Sequence, residues 1–259
     1  MKISVCGKGG SGKSTVVSLL ANAAQARGFR ALVVDSDESN SGLFRMLGFA
    51  NPPIPLMTLV GGKEGIKEKM NQPSILSETE IAMDQIPHPY INKQNGLWLV
   101  SIGKISQALE GCACPMGALS REFLNKLRLA ENEIALVDME AGVEHFGRGL
   151  DAGIDSVVLV VEPSYESLTL AEKIKELATN MQKKLWAVLN KINSDDLGLK
   201  LEKALKKNDI ETIGVILYDP EIFTAGLNGN PVRHCQSIRK AAKILDRLLS
   251  KKAKIKNRE

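Results

Sequence analysis

The stretch Gly7-Lys8-Gly9-Gly10-Ser11-Gly12-Lys13-Ser14 constrains the fold of this chain more than any other. It has the spacing G-x-x-x-x-G-K-[ST] of a phosphate-binding loop, a motif that needs a strand before it and a helix after it. Both are present in the pattern. Ile3 to Cys6 form a short apolar run expected as a buried strand. Val16, Leu19, Leu20, Ala23 and Ala24 then recur at helical spacing, and Gly28 stands where a helix C-cap belongs. Glycines let the backbone turn sharply and bring its N–H groups up to phosphate oxygens. The helix start adds its positive dipole end. Lys13 has the length to reach the β- and γ-phosphates, and the Ser14 hydroxyl is placed for Mg²⁺. Gly7, Lys8, Gly9, Gly10, Ser11, Gly12, Lys13, Ser14 and Thr15 are the candidate nucleotide contacts.

The rest of the chain alternates strand and helix signals, which predicts an α/β domain with a mostly parallel sheet and helices on both faces. Strands are expected at Arg30–Asp35, Gly96–Gly103, Glu133–Asp138, Asp155–Val161, Lys184–Leu189 and Glu211–Ile216. Helices are expected over about 117–131, 163–181 and 237–249. Prolines 52, 53 and 55, the Gly61-Gly62 pair and prolines 73, 87 and 89 make residues 50–95 an irregular insertion, in which the charged stretch from Lys63 to Met70 reads as a short helix. Residues 1–250 then form one domain, and 251–259 a basic, solvated tail. That tail carries the whole formal net charge of +4, so nothing demands a nucleic-acid surface. Aromatic residues are only 4% of the chain, so aliphatic side chains must build the core. No apolar run is long enough to span a membrane, and the first is too short for a signal peptide, so a cytoplasmic protein is expected. Asp35 and Asp37 close the second strand, and Asp138 closes the run at 133–138, the ends at which ligands bind in open α/β sheets.

Lys8 completes the run Lys-Gly-Gly-Ser-Gly-Lys-Ser-Thr at 8–15. This resembles the deviant phosphate loop of the P-loop NTPase family that contains MinD, ParA, the nitrogenase iron protein and the metal-insertion ATPases. The resemblance implies binding of ATP or ADP with Mg²⁺, and a dimer in which Lys8 crosses to the partner's nucleotide. It implies a catalytic set of Lys8, Lys13 and Asp37, with Asp37 positioning the attacking water. Ser14, Asp35 and Asp138 would hold Mg²⁺ directly or through water. Gly142 would sense the γ-phosphate, Asn190 would read the adenine edge, and Asp219 would lie in the loop that touches base and ribose. His145 is expected to be structural. Where many relatives continue with proline after the second aspartate, this chain has Glu38-Ser39-Asn40.

Of the four cysteines, Cys6 and Cys235 read as ordinary small residues. Cys112-Ala113-Cys114 lies between Gly111 and Pro115, flanks that suggest an exposed bend, with a buried structural pair as the alternative. One chain supplies two thiolates, fewer than the four of a closed thiolate site. Two copies about a twofold axis supply four, and the same axis lets Lys8 cross. Thiolates suit Zn²⁺, Ni²⁺ or an iron–sulfur cluster. Residues 139–150 lack the second cysteine of the nitrogenase iron protein, which argues against a [4Fe–4S] reductase. Together with Asp138 to Gly149, the cysteine pair makes the chain resemble the CooC-type ATPases, which mature nickel carbon monoxide dehydrogenase. The resemblance implies a homodimer that couples ATP hydrolysis to nickel insertion into that enzyme or acetyl-CoA synthase, with Ni²⁺ or Zn²⁺ at Cys112 and Cys114, and no membrane or nucleic-acid partner. A MinD/ParA-like positioning ATPase acting on membrane or DNA is the alternative, resting on the basic tail and the helix with Ile238, Ala242, Leu245 and Leu249 on one face. That face is small and lacks aromatics, so packing on the sheet is expected instead.

Overall fold

The computed structural model describes residues 1–39, 42–69, 72, 74, 76–104, 114–142, 153–232 and 236–256. Its strands are β1 (Lys2–Gly7), β2 (Arg30–Asp35), β3 (Ile81–Ala82), β4 (Asn92–Gln94), β5 (Leu97–Ser101), β6 (Leu127–Arg128), β7 (Glu133–Asp138), β8 (Ser156–Val161), β9 (Lys184–Ile192) and β10 (Glu211–Leu217). Its helices are α1 (Lys13–Ala26), α2 (Leu43–Met46), α3 (Gly62–Lys69), α4 (Cys114–Lys126), α5 (Tyr165–Asn180), α6 (Asp195–Lys207), α7 (Pro220–Asn228) and α8 (Gln236–Lys256). Eight strands form one sheet in the order β10-β9-β8-β1-β7-β2-β5-β4. All pairs are parallel except β4 with β5. β1 lies between β7 and β8, so the phosphate loop leaves the sheet with the ends of both neighbours beside it.

Period-two alternation divides the core into two layers. Ile3, Val5, Val33, Leu136, Val158 and Val188 face α1 and α8. Leu32, Val34, Val137, Leu159 and Leu189 face α4, α5 and α6. Each buried aliphatic side chain contributes roughly 1.5–3 kcal/mol, which offsets the scarcity of aromatic residues. In α8, Ala241, Ile244, Leu245 and Leu248 are buried, so the C-terminal helix packs on α1 and β10 as expected. Gly214 in β10 is part of that contact: a Cβ there would collide with Ile244.

Four elements differ from the sequence reading. The insertion holds the short helix expected near 63–70 as α3, and is regular beyond it, with turns of 3₁₀ helix at Leu56–Val60 and Met83–Gln85 and the short strands β3 and β4. It is tied to α4 by a polar knot: Glu122 accepts from Leu76 N at 2.9 Å and Ser74 Oγ at 2.6 Å, and Lys126 Nζ lies 2.7 Å from Glu122. Helix α4 ends at Lys126, five residues early, because Leu127 and Arg128 pair with Ile81 and Ala82. Helix α6 was not expected, although Ser194 caps it, two aspartates open it and two lysines close it. Helix α8 continues to Lys256, so the tail expected from residue 251 begins inside a helix.

Candidate functional site

Gly7 ends β1 in register with Val160 of β8. A Cβ on Gly7 would lie 2.6 Å from the Val160 carbonyl oxygen and 2.9 Å from Ser11 Oγ, so the close approach of the two chains requires glycine. Ser11 N donates to Lys8 O at 3.1 Å and closes the turn. Gly12 follows at φ +91°, as the N-cap of α1. It provides no capping side chain, and the first turn of α1 holds no acidic residue. The helix start therefore offers N–H groups and a positive dipole end to an anion. Lys13 is buried, with Nζ 3.5 Å from Lys8 O.

The candidate carboxylates converge beneath this loop. Parallel pairing puts Asp35 of β2 opposite Asp138 of β7, and Asp138 opposite Val5 of β1. Ser14 Oγ donates to Asp138 Oδ2 at 2.6 Å. Complete burial pushes Asp138 up to about 7, against the hydrogen bond from Ser14. Burial pushes Asp35 up to about 6, against Lys104, whose Nζ is 2.7 Å from Asp35 Oδ2. Asp37 is also buried; its Oδ1 accepts from Ser39 N at 3.0 Å and Ser39 Oγ at 2.7 Å, and Lys104 Nζ donates to its carbonyl. Asp35 Oδ1 and Ser11 Oγ are buried without a hydrogen-bond partner among the described residues. Oxygen ligands beside an uncapped helix start fit a magnesium-bound phosphate chain.

The same burial predicts a pH dependence. Asp138 and Asp35 have folded-state values above the usual carboxylate value of about 4, so the folded chain binds more protons than the unfolded chain between about pH 4 and 7. Without nucleotide and Mg²⁺, this part of the stability is present at low pH and is lost as pH rises through that window. Asp138→Asn removes the larger contribution. Its melting temperature at pH 8 is expected to exceed the parent's by several degrees, since about 1 kcal/mol moves a domain of this size by ~2–4 °C. Calorimetry of both proteins at pH 5 and pH 8 checks this; an equal difference at the two pH values would refute it.

On the other side of the loop, Glu162 follows β8. Lys8 Nζ lies 3.1 Å from Glu162 Oε1 and Lys191 Nζ 2.9 Å from Glu162 Oε2. Lys191 Nζ also donates to Gly10 O. Asn190 is buried at the end of β9, and its Nδ2 donates to Ser11 O at 2.8 Å. It therefore positions the phosphate loop as well as lining the cleft beside it. That cleft, about 320 Å³, is bounded by Thr15, Asn190, Tyr218, Asp219, Ile222 and Phe223. Asp219 caps α7: its Oδ1 accepts from Glu221 N at 3.0 Å and its Oδ2 from Ser237 Oγ at 2.8 Å.

The loop, Ser14, Asp35, Asp37, Asp138, Asn190 and Asp219 thus all meet at one end of the sheet. Gly142 joins them, its N donating to Gly7 O at 3.4 Å. Cys112, Cys235 and His145 lie outside the described residues; Cys114 is the first residue of α4. Cys6 is buried, and burial raises its thiol pKa. Among the described residues, no three His, Cys, Asp or Glu side chains converge as a metal site. Ser36 Oγ and Ser120 Oγ, 2.8 Å apart, join α4 to the aspartate loop. Glu162, Lys104 and Lys191 were not among the candidates. Glu162 was findable, because it stands after a buried strand as Asp35 and Asp138 do; Lys104 carries no comparable signal.

Residues 3–232 match the CobQ/CobB/MinD/ParA nucleotide-binding domain. An uncharacterized ATP-binding protein of Methanocaldococcus jannaschii is 43% identical over 233 residues, covering 88% of this chain and 92% of the relative. The carbon monoxide dehydrogenase accessory protein CooC of Rhodospirillum rubrum is 33% identical over 235 residues, covering 88% of each. The septum site-determining protein MinD of Pyrococcus horikoshii, solved with Mg-ADP, superimposes with a TM-score of 0.71 over 95% of both chains at 19% identity, a likeness of fold. No helix among the described residues is long and apolar enough to cross a membrane.

Proposed function

This chain belongs to the CobQ/CobB/MinD/ParA nucleotide-binding family as an ATPase of the MinD/ParA type, and from that premise we propose that it is a homodimeric ATPase that delivers nickel to a carbon monoxide dehydrogenase or acetyl-CoA synthase. The observation behind the nickel role is the 33% identity to CooC across 88% of both chains, joined to the Cys112-Ala113-Cys114 pair.

In this reading the loop N–H groups and Lys13 bind the phosphates, and the purine lies in the cleft beside Asn190 and Asp219. Ser14, with Asp138 and Asp35 behind it, would hold Mg²⁺, which would supply positive charge to the phosphate chain. Asp37 orients the attacking water. Lys8 of each protomer reaches the partner's nucleotide and supplies charge to the transferring phosphate, as an arginine finger does. Dimer closure gathers four thiolates from Cys112 and Cys114 of both copies, and hydrolysis disperses them to release Ni²⁺ or Zn²⁺. In α8, the apolar face that a membrane-binding helix needs is spent on α1 and β10, which disfavours a membrane-positioning role.

Metal content and solution mass, measured without nucleotide, with ADP and with a non-hydrolysable ATP analogue, test the reading. The expected result is about one Ni²⁺ or Zn²⁺ per two chains, changing with nucleotide state. A metal-free protein that still dimerises with ATP would refute the nickel role. The Cys112→Ala/Cys114→Ala variant is expected to keep ATP hydrolysis within about twofold while losing its bound metal, since neither cysteine is assigned to the nucleotide site. Unchanged metal stoichiometry in it would overturn the assignment of the pair.

A further inference from the structure

We propose that Glu162 is a latch that holds Lys8 on its own protomer, and so sets the protein concentration and nucleotide occupancy at which the ATPase dimer closes. The inference rests on the reading of Lys8 as a residue that acts across the dimer. Lys8 cannot serve the partner's nucleotide while its ammonium sits 3.1 Å from Glu162 Oε1.

The latch follows from topology. Gly7 pairs with Val160, so β8 places Glu162 two residues beyond the point where the phosphate loop leaves the sheet. The carboxylate is only 15% exposed, and each of its oxygens faces one lysine, Lys8 on Oε1 and Lys191 on Oε2. Burial would raise its pKa, but hydrogen bonds from Lys191 and Lys8 hold it below the ordinary glutamate value, so it stays ionised at neutral pH.

The sharing makes the latch releasable. Stripping the sole cation from a part-buried carboxylate strands a charge. Here Lys191 remains when Lys8 leaves, and it is anchored separately on Gly10 O. Lys8 is 36% exposed, so its ion pair is screened and of modest strength. A pair of that kind shifts an equilibrium by about threefold. A twofold-symmetric dimer must release two such pairs, so its closure is opposed by about tenfold. The phosphate charge of a bound ATP on the facing protomer is the competing anion.

The test compares the full-length parent with Glu162→Gln, Glu162→Asp, Lys8→Ala and Lys8→Ala/Glu162→Gln. The dimer midpoint is measured with Mg²⁺ and a non-hydrolysable ATP analogue, and ATP turnover is followed against protein concentration. Glu162→Gln is expected to lower the midpoint about tenfold and raise turnover at low protein concentration, with monomer affinity for the nucleotide unchanged. Glu162→Asp, which keeps the charge but shortens its reach, should move the midpoint the same way. In the Lys8→Ala background the substitution should do nothing. A glutamate that merely shapes the loop would weaken nucleotide binding in both backgrounds, which would overturn the latch. Wild-type midpoints in both Glu162 variants, with Lys8→Ala inactive, would overturn the latch and leave the trans lysine standing. A fully active Lys8→Ala would overturn both.

Discussion

Replacing Lys13 by alanine is expected to lower ATP turnover by about 10²–10³-fold, the cost of removing one preorganised charge from a phosphoryl-transfer site. The side chain is buried, its ammonium stands at the loop carbonyl of Lys8, and it is close enough to Asp138 to oppose part of the burial-driven rise in that group's pKa. Such a cation is held in place before any phosphate arrives, so little reorganisation is spent at the moment of transfer. Without it, Asp138 loses a nearby positive charge while Ser14 and the loop N–H groups remain. The loss should therefore fall mostly on kcat, with a smaller effect on nucleotide affinity. Arginine is not a conservative replacement, because a planar guanidinium does not fit a cradle built around a point charge. Phosphate release at saturating Mg²⁺-ATP measures the effect, and turnover within threefold of the parent would show that Lys13 does not face the transferring phosphate.

Such a prediction can be drawn from the sequence because the phosphate loop is a local device. Its spacing, the apolar strand before it and the helical period after it lie within the first 28 residues, and each buried strand that delivers a carboxylate is a contiguous run. Asp35 and Asp138 could be placed at strand ends, and parallel pairing brings them opposite one another. What the sequence did not reveal depends on distant partners. Lys104 meets Asp35 across 69 positions, and the double clamp on Glu162 joins residues from three strand ends. No periodicity encodes such a contact. The insertion was opaque for a related reason: Ile81 and Ala82 become a strand only because Leu127 and Arg128 lie beside them. The same pairing cut α4 short. Helix α6 differs, since its Ser194 cap and its terminal charges are local signals.

Asn190 is the clearest case in which a family-level expectation and the geometry give one residue two tasks, and Gly12 shows how to separate them. Gly12→Ala is expected to weaken ATP binding about 100-fold. The residue sits at φ +91°, where an L side chain is strained by roughly 1–2 kcal/mol. Its new methyl would also meet the Asn190 amide, which donates to Ser11 O, and displacing that bond costs about 1 kcal/mol more. The free protein can relieve both by shifting the loop. Nucleotide binding must then restore it, so the penalty appears in affinity, and 2–3 kcal/mol is about two decades. Asn190→Ala tests the account as a double-mutant cycle. If collision with the amide contributes, Gly12→Ala should cost about fivefold less in the Asn190→Ala background, the remainder being backbone strain. Equal losses in the two backgrounds would mean that the amide does not brace the loop, and would leave Asn190 with the base alone. Titration of a fluorescent ATP analogue into the four proteins decides between these outcomes.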